Sequence, residues 1–329
     1  MNRISSFLLL ILLSVSCAEV KTYEPQLIGI EAFSSPSTKG FVDGAYLNDM
    51  PSRFLHGGGT ASPRKIILTT WHYEANGGES EYFRNREFSY EAQPGDGYWH
   101  GTPVTYWPFG GRLDFTGYSV SIPFEDGQVS WGRGRSTDEL VIDVTRPYTQ
   151  DDILFSSRLA LRGVDDNGKV SMLFEHAQAW LQVIVRSAAD CENVVTLRRV
   201  VFKDVYTSGR LTITHPFGFS ECDWSFDQPG ITRMDTDMDD VNNVFNTKMT
   251  ATAKYLDWLL PGQPMKSMVI YYSLSGSDFE LQYEYKLPVT EWLSGKKYVY
   301  DITFAPHGIE LLPVITDWDG VVPENQPNI

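Results

Sequence analysis

Three cysteines carry the most definite chemistry in this 329-residue chain. Cys17 follows a short apolar run at residues 7–13, which is preceded by one positive residue, Arg3. This arrangement is typical of a secretory signal, and a cysteine directly after the small residue Ser16 suggests lipid attachment to its thiol. The pattern predicts that residues 1–16 are removed and that lipid on Cys17 anchors the chain to a membrane surface. Ordinary secretion, with cleavage near the same place, is the alternative.

The other two cysteines, Cys191 and Cys222, would then remain as a pair in an oxidising compartment. A disulfide between them would close a loop of about 32 residues and stabilise the fold by roughly 3 to 4 kcal/mol in the chain-entropy model. Two buried thiols are the alternative, because a sequence does not show whether the two Cα atoms lie close enough to be bridged.

The sequence matches no catalytic or metal-binding template. It has no G-x-S-x-G elbow, no H-E-x-x-H motif and no phosphate-binding loop. Its six histidines are scattered without metal-ligand spacing, and His176 lies in an apolar stretch typical of a core histidine. The acidic run at 235–240 begins like a calcium loop, but Asp240 replaces the required glycine and Asn246 the closing glutamate. We predict a protein that is not an enzyme, with no catalytic residue, no metal and no cofactor.

Charge and hydropathy exclude some partners. The formal net charge is −15, without a basic run, which argues against nucleic acid as a partner. After residue 17 no apolar run is long enough to span a bilayer as a helix. The many tryptophans and tyrosines fit either a sandwich core or a platform for sugar binding.

Strand patterns dominate the rest of the chain, with few helical periods. Runs rich in β-branched and aromatic residues lie at 26–33, 65–73, 139–144, 194–205, 266–273, 278–287, 297–304 and 310–318. The apolar segment 170–185 holds one long strand or two short ones, and segments 150–159 and 241–260 have weak helical character at best. Turn residues separate these runs, which predicts all-β sandwiches. A polar turn at 163–168 divides the chain into an N-terminal domain, 17–164, and a C-terminal domain, 165–329.

A set of motifs in chain order resembles the fimbrillin (Mfa-like, type V pilin) family of Bacteroidota. The segment 105–118 carries the most distinctive one: Trp107-Pro108, a Gly110-Gly111 turn and Leu113-Asp114-Phe115. The others are Asp151 to Phe155, the strand around Phe174 to Ala177, Leu259 to Pro261, the W-x-x-G-x-x-Y-x-Y-x-I segment from Trp292 to Ile302, and a last strand that ends at Trp318.

The resemblance implies two tandem transthyretin-like β-sandwich domains after the lipoprotein signal peptide. It also implies a subunit of a cell-surface fimbria, tip or stalk, that supports adhesion at the outer membrane. The expected partners are other pilin subunits through strand exchange, the outer membrane through the lipid on Cys17, and a host glycan or protein. The alternative is a surface-anchored lipoprotein that binds a glycan or host protein without polymerising.

The family also implies where a protease would act. In its members an arginine- or lysine-directed protease cuts after the first strand, and the groove that opens accepts a strand of the next subunit. In this chain the first strand would be 26–33. Lys39 stands where the family often has arginine and is the positional candidate for cleavage, with Arg53 as the nearest arginine alternative. The lysine implies either a protease that is not strictly arginine-specific or a first strand that is retained.

Overall fold

The computed structural model describes residues 25–34, 65–91, 98–120, 124, 128–131, 140–144, 152–161, 168–192, 194–214, 221–238, 240, 242–275, 277, 279–287 and 290–318. These residues form 22 strands and contain no helix, which confirms the predicted all-β class.

The strands of the first two-thirds of the chain are β1 (Gly29–Ser34), β2 (Lys65–Tyr73), β3 (Glu79–Glu91), β4 (Tyr98–Thr102), β5 (Arg112–Val120), β6 (Val129–Trp131), β7 (Leu140–Val144), β8 (Leu154–Leu161), β9 (Lys169–His176), β10 (Gln178–Ser187), β11 (Val195–Val205), β12 (Gly209–Thr214) and β13 (Glu221–Ser225). The remaining strands are β14 (Met234–Asp237), β15 (Thr247–Lys248), β16 (Lys254–Pro261), β17 (Gln263–Pro264), β18 (Ser267–Leu274), β19 (Leu281–Lys286), β20 (Glu291–Trp292), β21 (Lys296–Ala305) and β22 (Gly308–Asp317).

Seven strands of the N-terminal part close into a barrel in the order β1-β4-β3-β2-β5-β8-β9. The ring closes because β1 pairs antiparallel with β4 on one side and parallel with β9 on the other. Large side chains that are fully buried fill the interior, among them Phe88, Trp99, Phe115 and Phe174.

A second sheet, ordered β13-β12-β7-β6, covers the outside of this barrel. Tyr118 and Val120 of β5 share a buried cluster with Leu211 and Ile213 of β12. The N-terminal part is therefore a two-layer sandwich in which the inner layer is a closed sheet.

The C-terminal part is a sandwich of two open sheets. One has the order β16-β10-β21-β22, and the other has the order β14-β11-β18-β19, with β15 also paired to β11. Their facing sides bury one large core, in which the rings of Phe202 and Trp292 meet edge to face at 5.1 Å. The indole of Trp292 also donates a hydrogen bond to the hydroxyl of Tyr300, at 2.9 Å.

The chain first passes from one part to the other at Ala177, the single residue between β9 and β10, and it returns to the N-terminal part for β12 and β13. Its carbonyl oxygen accepts hydrogen bonds from the indole of Trp224 at 2.7 Å and from the hydroxyl of Ser294 at 2.6 Å. Its N–H donates to the carbonyl of Ile153 at 2.8 Å. β9, which follows the predicted division between 164 and 165, completes the N-terminal barrel, and the domain bounds themselves stay a prediction.

Two segments predicted to have at most weak helical character are strands. β8 lies in the first and β16 at the end of the second, and each has apolar side chains in two different buried clusters, as for Leu154 and Phe155 of β8. In β16, Leu256, Trp258 and Leu260 enter the C-terminal core, while Leu259 packs in a separate cluster on the other face. Neighbouring apolar residues, such as Leu154-Phe155 and Trp258-Leu259-Leu260, then face opposite sides, which hides the period-two pattern of a strand.

Gly117 of β5 lies where a side chain has no room. A Cβ atom there would be 2.2 Å from the carbonyl oxygen of Ile67 and 2.5 Å from a methyl group of Leu68, both in β2. We expect Gly117→Ala to lower the free energy of unfolding by about 3 kcal/mol, because β2 and β5 would have to separate. Urea denaturation followed by tryptophan fluorescence measures the change.

Gly110→Ala is the matched control, because a Cβ atom at Gly110 would meet nothing within 4 Å. We expect its free energy of unfolding to stay within about 0.5 kcal/mol of the parent value. Equal stability of the two variants would contradict the close approach of β2 and β5.

Candidate functional site

The first strand is held on both edges by main-chain hydrogen bonding. Gly29 and Ile30 lie opposite His100 and Trp99 of β4, and residues 29–34 lie opposite 169–174 of β9. We call the space that β1 fills, between β4 and β9, the β1 groove. An extended segment in this groove completes the hydrogen bonding of two strands at once.

The main-chain contacts continue on the N-terminal side of β1. The N–H of Ile28 donates to the carbonyl of Thr105 at 2.9 Å, and the N–H of Trp107 donates to the carbonyl of Gln26 at 2.8 Å. Trp107 belongs to the motif around 105–118, and its indole donates to the carbonyl of Gly168 at 3.0 Å. This motif therefore forms the end wall of the β1 groove as well as part of the core.

One face of β1 closes the barrel interior. Ile28, Ile30 and Ala32 are 2%, 0% and 1% exposed, and they pack in the same cluster as Trp99 and Val170. Burial of these three side chains contributes roughly 5 kcal/mol to the free energy of unfolding. Without an occupant, the groove would expose this apolar interior together with two unpaired strand edges.

The other face of β1 meets polar groups at defined positions. Lys169 of β9 forms an ion pair with Glu31, with 2.9 Å between Nζ and Oε1. The hydroxyl of Ser171 donates to the second carboxylate oxygen of Glu31 at 3.3 Å. At Gly29, a Cβ atom would come within 2.9 Å of the ring of Tyr98.

The predicted site residues fall in different places. Cys17, Lys39 and Arg53 lie outside the described residues, so lipid attachment and cleavage stay predictions. The strand predicted at 26–33 is confirmed as β1, with Leu27 bridged to Tyr106 just before it. Sequence reasoning missed Lys169 and Tyr98, because the alternation of a strand does not say which strands pair with it.

A cleft of about 660 Å³ lies at the junction around Ala177. Its lining includes His176, Cys222, Trp224, Ser294 and Trp318, and the carboxylates of Glu175, Glu221, Asp223, Glu291 and Asp317. Burial raises the pKa of Glu175, and the neighbouring His176 partly offsets this effect. Lys296 also lines the cleft and forms an ion pair with Asp317, so the other four carboxylates are the main hydrogen-bond acceptors of the lining.

His176 is a core histidine, as its apolar surroundings in the sequence predict. Its Nδ1 lies 3.0 Å from both carboxylate oxygens of Asp152, and its ring stacks on Trp318 with 4.1 Å between centroids. Its Nε2 is buried and makes no hydrogen bond with any described residue. Asp152 therefore holds the ring through one nitrogen only.

The two remaining cysteines are not bonded to each other. Cys222 lines the cleft near the start of β10, whereas Cys191 lies beyond the other end of that strand. A ten-residue strand is roughly 30 Å long, far more than a disulfide can bridge. The disulfide that the sequence left open is thus not formed, and Cys222 is a free, half-buried thiol.

Metal binding and membrane spanning find no support in the part of the chain that the structure describes. No three His, Cys, Asp or Glu side chains there are grouped so that they could hold a metal ion. Within the same residues, no helix has the length and apolar character needed to cross a membrane.

Comparison with known proteins gives one family and several related folds. The model of the fimbrillin-like family matches residues 53–318. No curated protein matches the chain. The fold is similar to that of a candidate cell adhesion protein from Bacteroides uniformis, with 14% identity, a TM-score of 0.52 and coverage of 89% of this chain and 99% of that one. At this identity the similarity bears on the fold alone.

Two fimbrial proteins of known structure are also similar. A fimbrial protein from Bacteroides vulgatus has 12% identity and a TM-score of 0.47, covering 89% of this chain and 99% of that one. The C-terminally truncated tip fimbrial protein Mfa3 from Porphyromonas gingivalis has 13% identity and a TM-score of 0.40, covering 78% of this chain and 95% of that one.

Burial raises the pKa of the Cys222 thiol to about 11. At pH 8 such a thiol is about 0.1% ionised, whereas a thiol with an ordinary pKa near 8.5 is about 25% ionised. Since the thiolate is the reactive form, we expect iodoacetamide to modify Cys222 on the order of 100-fold more slowly in the folded protein than in urea. Intact-mass and peptide-mass time courses measure both rates.

The urea-unfolded protein is the internal control, and it should be modified at both Cys191 and Cys222 without a reductant. Modification of Cys222 at equal rates in the folded and unfolded protein would contradict its burial.

Proposed function

The chain belongs to the fimbrillin-like family, and on this basis we propose that it is a structural subunit of a cell-surface fimbria, tip or stalk. In this proposal it assembles by strand exchange: β1 leaves the β1 groove after proteolysis, and a strand of another subunit takes its place. The family points to a structural protein, so we assign no catalytic residue.

One observation carries this proposal: β1 is a short end segment that closes the barrel between two strands distant from it in sequence. Its pairing with β4 and β9 satisfies main-chain groups on both edges. Since main-chain hydrogen bonds do not depend on side-chain identity, an equivalent strand from another chain can form them. Strand addition between copies that meet head to tail builds an open filament.

Export and processing complete the proposal. Lipid on Cys17 would hold the precursor at the outer membrane, with the polypeptide on its surface. Lys39 follows the end of β1 closely in sequence and is the first candidate for cleavage, with Arg53 as the second. A cut at either residue would separate β1 from the other barrel strands that the structure describes, which start with β2 at Lys65.

The partners in this proposal are other pilin subunits, with adhesion to a host glycan or protein as the outcome. The name of the similar solved structure from Bacteroides uniformis, a candidate cell adhesion protein, is consistent with this role. The last strand, β22, pairs with β21 over its whole length and belongs to the C-terminal sandwich, so it would have to leave that sheet to act as a donor strand.

Controlled proteolysis tests strand exchange directly. A soluble precursor that starts at residue 18 is digested with increasing trypsin and followed by intact mass and by unheated SDS gel. We expect one early cut at Lys39 or Arg53, followed by a ladder of SDS-resistant oligomers, because the emptied groove takes up a strand of the next copy. A cut that gives monomers only, which then bind a strand of a partner pilin, would assign the tip.

A locked variant controls for release of β1. Glu31 and Ser171 face each other across β1 and β9, and their side chains are in contact. In Glu31→Cys/Ser171→Cys, a disulfide should retain β1 after cleavage and abolish the ladder, and a reductant should restore it. Oligomers that form equally well in the oxidised variant would show that β1 does not need to leave.

The junction cleft favours a second candidate function, a surface-anchored lipoprotein that binds a glycan or host protein without polymerising. Its carboxylates can accept hydrogen bonds from sugar hydroxyls or from cationic side chains, and its indoles add apolar surface. A cleaved chain that remains monomeric and takes up no partner strand would favour this candidate.

A further inference from the structure

We infer that Lys169 and Tyr98 select the strand that enters the β1 groove, by requiring an acidic residue at the position of Glu31 and glycine at the position of Gly29. This inference rests on the proposed strand exchange, because it describes the partner that the same groove accepts. The partner strand would carry apolar residues at the positions of Ile28 and Ile30, and a small residue at that of Ala32.

Alternation alone excludes half of the possible registers. Ile28, Ile30 and Ala32 point into the barrel, while Glu31 points out of it. A shift of one residue would move the carboxylate of Glu31 into an apolar interior and expose both isoleucines. Burying that charge without a partner is strongly unfavourable, so an occupant must keep its apolar residues on the inner face.

A shift of two residues keeps each side chain on the same face of the strand, so alternation does not exclude it. The close packing around Gly29, an outward position, does exclude it. The ring of Tyr98 covers that position so closely that a Cβ atom would lie 2.9 Å from its Cδ2. This ring is itself held against His100, with 4.0 Å between centroids, so it cannot move aside without losing that contact. Only glycine fits under Tyr98 in the observed packing.

The second outward contact is electrostatic. Both carboxylate oxygens of Glu31 are bound, one by Lys169 and the other by Ser171. The side chains of Glu31 and Lys169 are only 28% and 35% exposed, so water screens this pair less than a fully exposed one. The ammonium group of Lys169 also lies 5.8 Å from the centroid of the Tyr98 ring. Lys169 thus contacts both Glu31 and Tyr98, the two side chains that fix the register of β1.

Together these contacts define the partner by its chemistry. A strand with lysine or arginine at the position of Glu31 would place like charges together, which destabilises strand pairing. A strand with a branched side chain at the position of Gly29 would displace Tyr98. The groove should therefore accept few of the many apolar strands that satisfy alternation.

A peptide-exchange measurement tests the inference in the full chain. A specific protease site is introduced after Lys39, and the precursor is cut after folding, so that β1 stays in place without a covalent link. Fluorescent peptides of residues 25–34 then compete with β1, and anisotropy follows their uptake. We expect Glu31→Lys in the peptide to weaken uptake about tenfold and Glu31→Gln about threefold, and added salt should reduce both differences.

A charge reversal in the groove gives the decisive comparison. In the Lys169→Glu precursor the order of the peptides should invert, with the Glu31→Lys peptide taken up better than the parent peptide. Lys65→Glu is the matched control, because the ion pair of Lys65 with Glu87 lies on β2 and β3 and does not touch β1. In that variant the parent peptide should remain the stronger competitor.

The outcomes separate the inference from the proposed function. If the parent and Glu31→Lys peptides enter equally well, or if Lys169→Glu leaves their order unchanged, selection by Lys169 is wrong while strand exchange stands. If no peptide replaces β1 in the cut precursor, strand exchange itself fails, and the inference fails with it. Equal uptake of a Gly29→Val peptide would overturn the role of Tyr98.

Discussion

The N-terminal barrel depends on one main-chain requirement: β4 and β9 need a strand between them. Each of these strands has a second neighbour in the barrel, so β1 is the element that completes both of their remaining edges. An empty space there would leave two rows of N–H and C=O groups unpaired and would open the core that contains Trp99. Since every residue but proline offers the same main-chain groups, this requirement is mostly independent of the side chains of the strand that meets it.

The walls of the β1 groove are anchored independently of β1. β9 continues through Ala177 into β10, which pairs with β16 and β21 at the centre of a C-terminal sheet. The hydrogen bonds that Ala177 accepts from Trp224 and Ser294 fix this passage. The opposite wall, β4, pairs with β3 over five residues. Departure of β1 therefore removes one strand from a frame whose other members keep their own partners.

The sequence predicts individual strands better than their arrangement. β2, β11 and β21 follow from their own composition, because β-branched and aromatic residues are concentrated in them. β3 escaped prediction, since its charged and aromatic residues have no clear period, and β16 was obscured because its consecutive apolar residues 258–260 are buried on both faces. The pairing of strands is set by contacts across the sheet. The residues around Glu31 do not indicate that its partner is Lys169, 138 positions away in the sequence. For the same reason the sequence did not decide whether Cys191 and Cys222 form a disulfide. The structure decides it, because the length of β10 lies between the two cysteines.

Exchange of β1 for another strand would change the stability of the barrel little. The main-chain hydrogen bonds and the buried apolar area would be nearly the same before and after the exchange, so they would give it little driving force. The covalent link between β1 and β2 instead gives the intact precursor an advantage, equivalent to a local β1 concentration on the order of millimolar. A cut in that link removes the advantage, and any strand that fits the groove equally well can then compete. Proteolysis would thus decide when exchange begins, and the outward contacts of Gly29 and Glu31 would decide which strand succeeds.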